Sequence, residues 1–171
     1  MTRFEVITEI AAPPQHVFDL SLDVGVHTAS MADSGERIIG GVTSGRMRLG
    51  DTVTWEARHF GLRWRMTSRI SACDPPVYFV DEQVEGPFRR WRHEHHFEQD
   101  GAGTLMRDVV EFAAPLGPLG RLAELLVLDR YMPRLIRMRN EHLTNRILLH
   151  GAEAVPESGR AVGGESGDGR R

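Results

Sequence analysis

The sequence predicts an α+β domain: a curved antiparallel sheet of six to seven strands wrapped around a long C-terminal helix, with one or two short helices after the first strand. Two patterns carry this reading. Between Asp51 and Ala113 apolar and polar residues alternate in short runs separated by Gly, Pro and Asp, the period-2 signature of half-buried antiparallel strands. From about Leu119 the apolar spacing changes to three, four and seven, the period of a helix.

Phe4, Val6 and Thr8 alternate with Glu5, Ile7 and Glu9 as a first strand, and Ala12-Pro13-Pro14 ends it and opens a helix over about Gln15 to Leu22. Asp23 to Ala32 reads as a second short helix or an irregular turn. Glycines at 35, 40, 41, 45 and 50 mark short strands joined by tight turns. In Asp51–Phe60, Val53, Trp55, Ala57 and His59 share one face. After Gly61, Leu62–Ser71 puts Trp64, Met66, Ser68 and Ile70 inward against Arg63, Arg65, Thr67 and Arg69. Asp74-Pro75-Pro76 breaks the chain. Val77–Val84, Arg89–Glu98 and Thr104–Ala113 complete the series, the last two joined by a turn-rich loop at 99–103.

Leu119, Leu122, Leu126, Met132, Leu135, Ile136, Leu143 and Ile147 form the apolar stripe of the final helix, and Pro133 inside it is expected to kink or split it. Arg130, Arg134, Arg137 and Arg139 read as a solvated basic face. The stretch from Gly151 to Arg171 has almost no bulky apolar residues and is expected to be disordered, which leaves a domain over 1–150 and a tail over 151–171.

At 171 residues the chain is long enough to bury a real core, and a net charge of −3 gives no reason to expect nucleic acid as a partner. A single cysteine, Cys73, excludes an intramolecular disulfide and a multi-cysteine metal centre. No run reaches the roughly 20 apolar residues of a membrane span, and the N-terminus lacks a signal-like apolar core, so a cytoplasmic location is expected. Nothing in the sequence sets an oligomeric state.

The order of elements, with FVDEQVEGPFRRWRHEHHF (79–97), GTLMRDVVEF (103–112) and APLGPLGRLAELL (114–126), resembles the SRPBCC superfamily of START-like, helix-grip proteins. Within it the likeness is to the bacterial ligand-binding and polyketide cyclase/dehydrase-like group. The resemblance implies a deep, largely apolar pocket for lipids, polyketides, sterols, quinones or similar molecules, and no single chemistry. A Rieske centre is disfavoured, because it needs two cysteines.

The residues themselves point to one place. Trp91, His93, His95 and Phe97 share a sheet face, so two imidazoles lie on an apolar surface, where each needs a partner. If Thr104, Met106, Asp108, Val110 and Phe112 face inward on the next strand, Asp108 comes beside the pair; Asp81 and Gln83 are candidates from the preceding strand, where Tyr78, Val80 and Val84 compete for the inward face. Trp55, His59, Trp64 and Met66 are candidates for the opposite wall. The cluster reads as a satisfied polar network, as a group that orients the polar end of a hydrophobic ligand, or as a general acid–base site with His93 or His95 moving a proton and Asp108 assisting. Two histidines two apart on a strand carry no strong metal signature, and no metal or cofactor is expected. A third class, a non-catalytic interaction module presenting the helix, requires an exposed apolar patch.

Overall fold

The computed structural model describes residues 1–115, 117–123 and 128–153. Strand β1 (Thr2–Ile10) leads into helices α1 (Pro14–Ser21) and α2 (Val24–Ser30), then a 3-10 turn at Ala32–Ser34. Six strands follow: β2 (Arg37–Gly41), β3 (Thr52–His59), β4 (Leu62–Asp74), β5 (Tyr78–Glu85), β6 (Arg90–Asp100) and β7 (Gly103–Ala113). Helices α3 (Gly117–Ala123) and α4 (Asp129–Glu153) end the described chain.

All strands join one seven-stranded sheet in the order β1-β7-β6-β5-β4-β3-β2, and every pairing is antiparallel. Consecutive strands from β2 to β7 are hairpin neighbours; the first strand closes against the last. Register shifts between Ile38 and Gly40, Thr67 and Ser68, and Ile70 and Ala72 interrupt the ladders of β2 to β5. Each extra residue bends its strand, which is how a sheet curves around a helix.

Local chemistry sets the helix starts. Pro14 occupies the first turn of α1, where its missing N–H costs nothing. Asp23 caps α2, accepting from the amides of Gly25 at 2.8 Å and Val26 at 3.0 Å, so the Asp23–Ala32 segment holds a short helix, Val24–Ser30, that passes into the 3-10 turn at Ala32. Pro133 lies in the fifth position of α4, where the lost donor falls in the first turns. Leu122, assigned by periodicity to the apolar stripe, is exposed, and Leu126 lies outside the described residues. Ile136 is buried and Leu135 half-buried against the core, so these two positions offer no docking face; the exposed leucines of α4 are Leu148 and Leu149, at its far end. Arg130, Arg134 and Arg137 are solvated as expected, whereas Arg139 is buried. α4 extends to Glu153, and the rest of the proposed tail lies outside the described residues. No described helix is long and apolar enough to cross a membrane.

The core divides into two apolar clusters. One gathers Ile10, Val17, Phe18, Phe79, Phe97 and Met106 with Leu143 and Ile147; the other gathers Val6, Trp91, Val110 and Phe112 with Met132 and Ile136. Between them runs a polar belt, made of the residue that separates the two clusters on each element. Thr8 lies between Val6 and Ile10, Asp108 between Met106 and Val110, His93 and His95 between Trp91 and Phe97, and Asn140 between Ile136 and Leu143. Period 2 on the strands and 3.6 on the helix bring these positions together at one level of the core.

Candidate functional site

Cross-strand register assembles the site. β6 presents His93 and His95 on its inner face with ring centroids 3.7 Å apart. β5 places Asp81 opposite His93, and β7 places Asp108 opposite His95. Phe79 stacks on the His95 ring at a centroid distance of 4.1 Å, fixing its plane.

Each imidazole lies between two carboxylates. On the core side, His93 Nε2 hydrogen-bonds Asp108 Oδ1 at 2.8 Å, while His95 Nδ1 lies 2.8 Å from the same oxygen at an angle too poor for a hydrogen bond. The second Asp108 oxygen accepts from Asn140 Nδ2 at 2.7 Å, and that amide also donates to Thr8 Oγ1 at 3.0 Å. The Arg139 guanidinium stands 3.5 Å from Asp108 Oδ1. On the outer side, His95 Nε2 is 2.9 Å from Asp81 Oδ2, and His93 Nδ1 is 3.7 Å from that oxygen.

Burial decides the protonation of this group. Desolvation, reinforced by the His95 charge, pushes His93 down to about 4 against the opposing pull of Asp108 and Asp81. Burial works to raise both carboxylates, yet neighbours outweigh it. The His95 hydrogen bond, with the charges of His93, His95 and Arg139, holds Asp81 at about 2, and the His93 hydrogen bond together with the close approach of His95 holds Asp108 well below its ordinary value. At neutral pH the belt therefore contains an uncharged His93 between two ionised carboxylates.

The belt opens onto a cavity of about 600 Å³ between the sheet and α4. Trp55, His59, Trp64, Met66, Asp81, Trp91, His93 and His95 line it. Other expected lining residues lie elsewhere. Asp108 is fully buried behind the histidines, and Met106 is buried in the core against Ser21. Gln83 turns away to clamp the β5–β6 connection, donating to the Phe88 carbonyl at 2.7 Å and accepting from the Phe88 amide at 3.2 Å. His59 meets the Tyr131 hydroxyl at 2.8 Å, and His27 pairs with Glu36 at 3.0 Å while lying on the Trp55 ring. Burial depresses His59 and raises Tyr131.

Sequence reasoning missed Arg139, Asn140, Thr8 and Tyr131. A signal existed for Asn140, which follows Ile136 by four and precedes Leu143 by three, a polar residue in the apolar stripe. Tyr131 had none.

A family model described as polyketide cyclase/dehydrase and lipid transport matches residues 1–147. The chain belongs to that family, within the SRPBCC superfamily. Family and fold are those of a protein that binds a hydrophobic ligand. Among solved structures, TTHA0849 from Thermus thermophilus superposes with a TM-score of 0.72 at 19% identity, covering 87% of this chain and 99% of that one. Ms6760 from Mycobacterium smegmatis gives 0.65 at 16% identity, covering 86% and 92%. The major latex-like protein 151 from Panax ginseng gives 0.54 at 17%, covering 82% and 96%. At such identities the likeness shows the helix-grip fold alone. Comparison with curated protein sequences returns no match.

Proposed function

We propose that the protein binds a small hydrophobic molecule, lipid-, quinone- or polyketide-like, in the cavity between sheet and α4, with its polar end held by Asp81, His93 and His95. The observation that carries this reading is a chamber of about 600 Å³, within the usual range for small-molecule sites, whose apolar wall is interrupted by the imidazole–carboxylate belt. Apolar lining rewards the body of the ligand by about 0.8 kcal/mol per buried CH₂. The belt supplies donors and acceptors that fix its orientation. Native mass spectrometry and thermal-shift screening of the full chain against quinones, fatty acids and aromatic polyketides test this: a one-to-one adduct and a raised Tm are expected, and the absence of both across the panel refutes it.

A second reading rests on His93, an uncharged imidazole oriented by a buried carboxylate, which is the arrangement of a general base. In a cyclase- or dehydratase-like reaction, turnover would rise with pH through about 4 as His93 loses its proton. Turnover unchanged in both His93→Ala and His95→Ala refutes that mechanism.

A further inference from the structure

The two histidines of the belt stand between Asp81 and Asp108. Carboxylate oxygens face all four ring nitrogens of His93 and His95, three at 2.8 to 2.9 Å and one at 3.7 Å. Asp108 is fully buried, and the Arg139 guanidinium stands 3.5 Å from it. Buried carboxylates need compensation.

We propose that Asp81, His93 and His95 bind a divalent transition-metal ion of the Zn²⁺ type, held in place by Asp108 behind the two imidazoles. One donor atom from each of the three residues lies within 4.8 Å of the others. Tetrahedral donors about 2.0–2.1 Å from zinc stand roughly 3.3 Å apart. The distances from Asp81 Oδ2 to His93 Nδ1 and His95 Nε2, 3.7 and 2.9 Å, bracket that value.

Asp108 supplies the independent support. A histidine that binds metal through one ring nitrogen is fixed through the other, usually by a carboxylate. Here one fully buried carboxylate approaches the second nitrogen of both histidines, and Asn140 and Arg139 secure it in turn. His95 Nδ1 is buried without a hydrogen bond in the present arrangement, and metal on Nε2 would require that Nδ1 carry the proton and turn it toward Asp108. Three protein donors leave a coordination position for water or a ligand oxygen from the cavity, as in catalytic zinc sites. The spacing of His93 and His95 gives no such signal alone; Asp81 completes the set across the sheet.

The test uses tag-free full-length protein stripped with a chelator and titrated with Co²⁺, then Zn²⁺, with no hydrophobic ligand present, so that its outcome is separate from that of the ligand screen. Expected are the visible d–d bands of one protein-bound Co²⁺, their loss on adding one equivalent of Zn²⁺, and a Zn²⁺-dependent rise in Tm. Asp81→Asn keeps the side-chain shape and removes the spectrum while far-ultraviolet circular dichroism stays native. Asp108→Asn weakens binding by about 10–100-fold. A spectrum of hydrated Co²⁺ only overturns the proposal. So does unchanged affinity in Asp81→Asn, which would place the ion elsewhere.

Discussion

Asp108 has no exposed surface and touches His93, His95, Asn140 and Arg139. Asp108→Ala leaves an amide, a guanidinium and an imidazole without their buried partner, and a loss of about 3–5 kcal/mol in urea unfolding is expected. The pH response follows from the same contacts. His93 is depressed in the folded state to about 4, so between its unfolded value near 6.5 and that point the unfolded chain binds more protons, and stability falls as pH falls. Asp81 is depressed to about 2; its contribution is complete above about pH 4 and is lost as pH drops toward 2. Unfolding midpoints measured from about pH 7 to 3 should decline in these two phases, and His93→Gln should flatten the upper one. At this scale the inward histidines and Asp108 were legible because a strand has an integer period, while Arg139 was misread as part of a basic run. Arg130, Arg134 and Arg137 recur by four and three and share a face; Arg139, two residues on, points about 200° away.

Six of the seven strands were legible almost to their ends, because alternation and Gly, Pro and Asp breaks agree along the chain, whereas the glycines at 35–50 suggested several short strands and one, β2, forms there. β4 runs past Ser71 to Asp74 because Cys73 and Asp74 pair with Phe79 and Tyr78 across the turn, a contact that no local pattern announces. The β5–β6 connection shows the same limit: Gln83 looked like a lining residue by alternation, yet its amide closes the loop around Gly86. A side chain on Gly86 would meet Gln83 Oε1 at 2.5 Å and would have to displace that amide. Gln83→Ala removes both bonds to Phe88 and is expected to lower stability by about 1–2 kcal/mol, read by thermal denaturation. Helix periodicity told which side of α4 is buried. It could not show that Asn140 would meet a carboxylate, since that depends on the β7 register against β6.

At the scale of the molecule, a sheet bent by irregular pairings and a helix laid across it leave a space that side chains do not fill. The resemblance to SRPBCC proteins made that space expected; its polar belt follows from this chain's own residues. Ala57, small and buried on β3, lines the cavity, and Ala57→Phe should occupy part of it. Overfilling of about 1–3 kcal/mol should cut ligand affinity by about tenfold or more with circular dichroism unchanged. The three tryptophans of the chain, Trp55, Trp64 and Trp91, all line the same cavity, which makes them internal reporters of its contents. Titrating the full-length protein with quinones while following tryptophan emission is therefore the most direct measurement: saturable, one-site quenching that weakens in Ala57→Phe is the expected result, and linear, unsaturable quenching matching that of free tryptophan would contradict occupancy of the cavity by such ligands.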